Sequence, residues 1–511
     1  MKKTLIPILI LAAGLTPLQA REIPVANPAS LQPALASAAP GDVIVLAKGS
    51  WTNTEIKVDH GGSEGKPVEI RAESPGETLL TGSSFLQINA PHVVVDGLYF
   101  TQGCIDSEKF SVIHFKSNHG TVRNCAIVDY NPESFDDDYY WVYFEGDNNL
   151  LEKCYFKGKN NLHPLVGNAI DGSRTNTVRG NYFKNIPYAA GNGREILRMW
   201  GPGKFDPNDK DGAYCLIEGN LFDGADGEGV EILSLKSNHN RVISNTVLSS
   251  RGCLNIRQGA HNQLIGNIFQ GKGVAGAGGL RMSGLNNIVQ SNYISGCETG
   301  IRLQCGEYTE SALTPGYQPN IKEKKGKKGD AGADVNVAKY PPVKDLLLAD
   351  NVCANNTGAD LEIGFGYKKH WPENQLVLLP QNCRIQNNRL IRPNGGESVI
   401  GAEADTTPPL DKLNLAPNTF ENNLLLGGTC AYPPAESGCK KEPLPAGWTE
   451  ESELGPRKPL TPEDVGPTWV IALRKAGQFA IEDDKSCYRP DTGSADDKAE
   501  KKKKKKKKKD Q

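Results

Sequence analysis

One short phrase recurs along the chain and limits what it can fold into. It reads Asn176-Thr-Val-Arg-Gly-Asn181, Asn240-Arg-Val-Ile-Ser-Asn245, Asn262-Gln-Leu-Ile-Gly-Asn267 and Asn287-Ile-Val-Gln-Ser-Asn292. Weaker copies end at Cys125, Cys154, Asn220, Asn351, Asn388 and Asn423. From Cys125 to Asn292 the copies stand 29, 27, 39, 25, 22 and 25 residues apart. A period of roughly 25 residues, built from short β-branched and aromatic runs split by Gly and Asn, excludes helical repeats. A unit that short cannot bury its own apolar face, so it must stack on its neighbours.

The pattern predicts an all-β chain wound as a right-handed single-stranded parallel β-helix, one turn per repeat. Inward apolar residues then form ladders, with stacked strands ~4.8 Å apart. Asn is expected at the bends, because it tolerates left-handed backbone and bonds neighbouring peptide groups. Stacked Asn side chains can also bond one another along the axis. Cys125 and Cys154 in the same slot read as buried and inert. A β-propeller is the competing arrangement, but its blades need roughly 40 residues and four strands each.

The rest of the chain divides around this coil. Lys2 and Lys3 precede an apolar run from Leu5 to Leu15, and residues 1–20 read as a signal peptide for a periplasmic or secreted protein. The apolar run is too short to cross ~30 Å of hydrocarbon, so no membrane span is expected. Residues 21–305 read as the regular coil, with a short helix from Leu31 to Ala39 capping its open end. Residues 306–343, containing Lys322-Glu-Lys-Lys-Gly-Lys-Lys, read as a flexible insertion. The coil resumes over 344–430. Residues 431–490, rich in Pro and Glu, read as a segment that wraps or caps it. Residues 491–511, with lysine at every position from Lys501 to Lys509, read as a disordered tail. Of the twelve cysteines, Cys430 and Cys439 are placed to bridge a loop. A net charge of -2 offers no global attraction to nucleic acid or a membrane surface, and neither is expected as a partner. A monomer is expected.

Two basic residues stand out within the repeats. Lys236 ends Glu231-Ile-Leu-Ser-Leu-Lys236, and Arg257 lies in Asn255-Ile-Arg257-Gln, 21 residues later and close to one turn. Arg281 follows a further turn on. A row of cations climbing one face suits carboxylates spaced along a polymer. These phrases resemble polysaccharide lyase family six, which contains chondroitinase B and the alginate lyases. The shared features are a Glu-rich strand ending in Lys-Ser and an Asn-x-Arg strand one turn later. The likeness extends to Asn192-Gly-Arg-Glu195-Ile-Leu-Arg198, to Phe156-Lys-Gly-Lys159-Asn and to Ala354-Asn-Asn-Thr-Gly-Ala-Asp-Leu-Glu-Ile-Gly, covering most of residues 22–365.

The resemblance implies an enzyme that cleaves an acidic, uronate-containing polysaccharide by β-elimination, with Lys236 as base and Arg257 stabilising the oxyanion. Nearby positive charge is expected to lower the Lys236 pKa. Arg281, Arg198, Lys159 and His261 become candidate substrate contacts. The resemblance also implies Ca2+ held by Asn192, Glu195 and Glu231, since oxygen ligands suit that ion. Here the chain departs from the family: Gly229 stands where a further Glu ligand belongs, and Glu228 is one place off. Strand alternation would point Glu228 to the wrong face unless a bulge re-aims it. Gln258 likewise stands where relatives often carry His. The alternative is a non-catalytic carbohydrate-binding or adhesive β-helix. A glycoside hydrolase needs carboxylates ~5–9.5 Å apart and leaves the Lys/Arg pair without a part.

Overall fold

Each turn of the chain supplies short runs in which apolar and polar residues alternate, so every strand has one inward side. Thr121–Arg123, Leu150–Glu152, Thr177–Arg179 and Leu216–Glu218 show it: the central Val122, Leu151, Val178 and Ile217 are buried between partly exposed neighbours. Stacking these runs produces a computed structural model of a parallel β-helix, with three all-parallel sheets of 14, 13 and 14 strands. The structure describes residues 20–170, 172–189, 191–201, 211–306, 340–341, 343–366, 379–402 and 417–478. The expected signal peptide (all but Ala20), nearly all of the 306–343 insertion and the whole 491–511 segment lie outside these residues.

Inside, like stacks on like. Phe156, Phe183 and Phe222 stack with centroids 5.2 and 4.9 Å apart, a burial of aromatic surface repeated turn by turn. At the corner between the first and third sheets runs a second ladder, made of amide. The Nδ2 of Asn181 donates to Asn220 Oδ1, Asn220 to Asn245, Asn245 to Asn267, Asn267 to Asn292 and Asn292 to Asn351, all at 2.9–3.0 Å. The same Oδ1 atoms accept the backbone N–H of the preceding Asn, as Asn267 Oδ1 does from Asn245 N at 3.1 Å. The left-handed residue at each bend is not the Asn but the one before it: Gly180, Gly219, Ser244, Gly266 and Ser291 have φ of 63°, 62°, 54°, 65° and 57°. The repeat's Asn is therefore chosen for its buried amide rather than its backbone tolerance.

Both ends of the coil are covered. The helix Pro28–Ala36, capped by Asn27, buries Leu31, Ala34 and Leu35 over the first turn. At the other end the strand Cys439–Glu442 completes the third sheet, and the chain then runs back along that sheet's outer face. Leu444, Trp448 and Leu454 pack on Tyr293, Val352 and Ile391. Further on, Leu460, Val465 and Trp469 pack on Tyr99, Tyr155, Tyr182 and Leu221. Gly466 N donates to Gly180 O at 2.8 Å and Thr468 N to Asn124 Oδ1 at 3.0 Å, which tie the strap to the bends. The strap explains the outward aromatics of the third sheet and, among the described residues, leaves the second sheet uncovered.

Replacing Asn267 by Ala removes an acceptor from Asn245 and a donor from Asn292 in a site closed to water. Chemical denaturation should show a loss of roughly 1–3 kcal/mol. Ser244→Gly, at the left-handed position of the same corner, should change stability by less than about 1 kcal/mol.

Candidate active site

The middle of the open second sheet carries the two irregularities that shape the site. Leu233, Leu235 and the Ser234 between them pair with Leu254, Ile256 and Asn255, an offset of 21 residues. On either side the offset is 22: Glu231 pairs with Cys253 and Lys236 with Gln258. The extra residue at one shift is Ile232 and at the other is Arg257, so Arg257 itself occupies a bulge. Bulges re-aim side chains, and these two lie beside Glu231 and Lys236, which line the cavity above the sheet.

A cavity of about 620 Å³ opens over this region, lined by residues that include Asn192, Arg198, Trp200, Glu228, Glu231, Lys236, Arg257, Gln258, Arg281 and Tyr340. Its floor is acidic. Ligand oxygens of Glu195, Glu228 and Glu231 all lie within 4.8 Å of one another, and all three residues are buried. Its walls are basic. Arg198 donates to both oxygens of Glu195 at 3.0 and 2.8 Å, and Lys236 Nζ stands 3.6 Å from Glu195 Oε1. Glu231 Oε1 accepts from Asn255 Nδ2 at 2.6 Å and from Arg281 at 3.1 Å. The Arg257 guanidinium stacks 3.5 Å over the Tyr340 ring, and Lys236 Nζ lies 4.8 Å over Trp200. Asn168 braces Trp200 by bonding both its N–H and its carbonyl, at 2.6 and 2.8 Å.

Burial lowers the Lys236 pKa below the ordinary lysine value; Glu195 opposes the shift, and Arg198 reinforces it ahead of Arg257. Desolvation, more than neighbouring charge, thus prepares the amine. Glu228 moves the other way, pushed up to about 7 by burial and then by Glu195 and Glu231. For Glu231 burial acts to raise the pKa, but Arg281, Ser234, Lys236 and Arg257 together hold it below its ordinary value.

The structure gathers most of the residues singled out in the sequence. Lys236, Arg257, Arg281, Arg198, Asn192 and Glu231 line one cavity, with Glu195 beneath it. The cations do not form one row, however. Arg281 pairs with Asn255, Asn255 with Ser234 and Ser234 with Arg198, while Lys236 and Arg257 flank that column at the strand ends. Lys159 is not brought to the cavity. Its buried ammonium donates to Asn161 O, Asn161 Oδ1, Leu162 O and His163 O at 2.7–3.0 Å, tying down a loop. His261 also lies elsewhere, at a bend with φ 57°, its ring stacked 4.9 Å from His239, which stacks in turn on Tyr214.

Glu228 is the residue whose place strand alternation misjudges. Gly227 and Gly229 have φ of 54° and 74°, and Gly229 N donates to Asp226 O at 2.7 Å, closing a tight turn just before the strand. That turn swings Glu228 back toward Glu231, where its Oε2 accepts from Gly193 N at 2.7 Å and Arg194 N at 3.3 Å. A side chain at Gly229 would collide with the Tyr188 ring at 2.5 Å, so the site uses Gly there and supplies the third carboxylate from next door. Asn255 was legible, since it shares a strand face with Arg257. Trp200 and Tyr340 carried no sequence signal.

A parallel β-helix with an open, charge-lined cleft on one sheet is a scaffold for handling a charged polymer. The comparisons with known proteins specify which. The chondroitinase B family profile matches residues 25–303. Among solved structures, a PL6 family polysaccharide lyase from Pseudopedobacter saltans is 38% identical, with a TM-score of 0.73 over 88% of this chain and 99% of that one. A mannuronic acid specific family 6 lyase from human gut microbiota is 24% identical, with a TM-score of 0.70 over 89% and 98%. The PL6 alginate lyase AlyGC gives 24% identity and a TM-score of 0.72 over 88% of this chain and 58% of its own. A search of curated protein sequences finds no significant match. The chain belongs to polysaccharide lyase family six, the chondroitinase B family. It is a carbon–oxygen lyase acting on polysaccharides.

Because the folded Glu228 carboxyl holds its proton more tightly than the unfolded chain, its contribution to stability is complete below the ordinary value of 4.5 and lost as pH rises to about 7. Metal-free protein should lose on the order of 1–3 kcal/mol across that window. Glu228→Gln should flatten the loss, as read from denaturation midpoints at several pH values.

Proposed function

We propose that this lyase cleaves a uronate-containing chain by β-elimination, with alginate rich in mannuronate as the first substrate and dermatan-type chains as the second. One observation supports the reading above others: a desolvated amine and a bulge-borne guanidinium open into the same cavity. The proton on C5 of a uronate is acidic only when its carboxylate is neutralised, and the cations around the cavity suit that task. Lys236 Nζ takes the C5 proton, the electron pair forms the C4–C5 double bond, and the C4–O4 bond breaks. Arg257 stabilises the negative charge on the carboxyl oxygens, and water protonates O4 because a guanidinium is a poor acid. The product carries an unsaturated uronate at its new end. In this reading Arg198 and Arg281, each anchored by a glutamate, orient the substrate. Export rests on the basic start and apolar run of residues 1–20.

Calcium belongs to the same reading. Three buried carboxylates within 4.8 Å form a hard-oxygen cluster, and burial followed by repulsion from Glu195 and Glu231 pushes the Glu228 pKa up to about 7. Glu195, Glu228 and Glu231 would hold the ion, with Asn192 at the cavity wall beside them. When bound, it supplies neutralising charge for the uronate carboxylate. The ion should raise the thermal midpoint of the wild-type protein at neutral pH, and should do so far less in Glu228→Gln.

Turnover is read as ultraviolet absorbance of the unsaturated product from a panel of uronate polymers. Lys236→Ala should lower kcat by roughly 10²–10⁴-fold while polymer binding persists. A Lys236→Ala protein that still releases unsaturated ends at the wild-type rate would remove the lysine from the chemistry. Wild-type binding without any turnover would leave an adhesive β-helix.

A further inference from the structure

A second hollow, of about 410 Å³, lies on the same open sheet toward the N-terminal end. Phe110, His114 and Tyr143 form its aromatic side, and Lys109, Lys116, Glu108 and Glu145 its charged rim. Its position is not arbitrary. His114, Tyr143, Gly167, Arg198 and Ser234 are successive partners in one outward column of the sheet. That column runs from the hollow to the strand bearing Lys236. Four strand spacings separate the two ends, ~19 Å at ~4.8 Å each.

Phe110 is the unusual member. It is 39% exposed and has φ 70°, a left-handed backbone that a bulky residue rarely adopts. Its ring stands edge-on to Tyr143 at 4.7 Å and leans on Tyr140 at 5.3 Å. An apolar ring kept at the surface on a strained backbone has a cost that core packing does not repay. Among the described residues the other large exposed apolar side chains include Ile170, next to the hollow's Ala169, and Val230, which lines the catalytic cavity. Between the two cavities, Gly167 leaves room for the Tyr140 ring, which a Cβ there would meet at 2.4 Å. The buried Tyr140 ring thus packs beneath the sheet face between the hollow and Arg198.

We infer that this hollow is a distal subsite for the same polymer, in which the Phe110 and Tyr143 rings take the C–H face of a sugar about four strands from the bond that is cleaved. The inference rests on the lyase reading for its ligand. The two lysines and two glutamates of the rim cancel, so apolar stacking and not charge supplies the contact. His114 agrees with this: burial lowers its pKa to about 4, leaving it neutral beside Glu145, to which its Nε2 bonds at 3.0 Å.

The test uses the full chain with polymannuronate and its trisaccharide. Phe110→Asn suits the left-handed backbone while removing the ring, and Phe110→Trp restores an aromatic surface. With Phe110→Asn, KM for the polymer should rise about five- to tenfold at unchanged kcat, without a matching rise for the trisaccharide. Phe110→Trp should recover most of it. Equal effects on long and short substrates, or none on the polymer, would overturn the subsite. Affinity electrophoresis through polymannuronate gels, in a Lys236→Ala background, separates this inference from the lyase reading. Retardation lost with Phe110→Asn supports the subsite even if the wild-type protein cleaves nothing. Cleavage that ignores Phe110→Asn sinks the subsite and leaves the lyase standing.

Discussion

The buried amide ladder is the constraint on which the rest depends. Each Asn side chain from Asn181 onward both donates to the next turn and accepts a backbone N–H from the one before. In a water-free corner such bonds are costly to leave unmade, so a slip of one residue in register would orphan several groups at once. From Asn181 onward the ladder therefore fixes the stacking of each turn independently of what happens elsewhere on it. That independence matters because the three sheets are not equally regular.

Irregularity is concentrated on the open sheet. At the two Asn corners next to the strands bearing Lys236 and Arg257 the turn length is 22 residues, from Asn240 to Asn262 and from Asn245 to Asn267. The strand centres between them pair at 21. Two bulges reconcile the numbers, and the second places Arg257 outside the ladder. A corner that could slip would relax this mismatch by shifting the whole turn. A corner locked by amides forces the distortion into the open sheet, where it displays a guanidinium beside Lys236. Fold regularity on one side thus goes with local irregularity at the cavity that Lys236 and Arg257 line.

How much was legible follows from this division of labour. The period and its Asn announced the β-helix, because stacking requires the same side chain at the same place in every turn. Lys236 and Arg257 were legible because their 21-residue spacing is close to one turn, although the strand partner of Lys236 is Gln258 and a bulge brings Arg257 to the same cavity. Glu228 resisted reading because its orientation depends on a glycine turn before the strand, not on alternation within it. Lys159 misled for a different reason. A lysine in a family-like phrase looks available to substrate, yet four carbonyl-type acceptors within hydrogen-bond reach make it a buried staple. His261 was ambiguous in sequence, and the stack with His239 and Tyr214 places it at a bend. Both cases turn on satisfied partners, which sequence spacing does not encode.

An acidic floor beneath a site proposed to take an acidic polymer needs a physical reason. Glu195 holds Arg198 through two parallel bonds, and Glu231 together with Asn255 holds Arg281. Without those anchors, long guanidinium side chains of like charge around one cavity would swing apart into solvent, and ordering them on substrate would cost entropy. The carboxylates settle that cost during folding, so the cations are already placed when a polyanion arrives. Glu195 also restrains Lys236: it favours the charged amine while burial and the arginines favour the neutral one. A substrate carboxylate entering this site would bind to cations whose positions are set from below. In the proposed reading the glutamates therefore belong to the anion-binding apparatus rather than obstructing it.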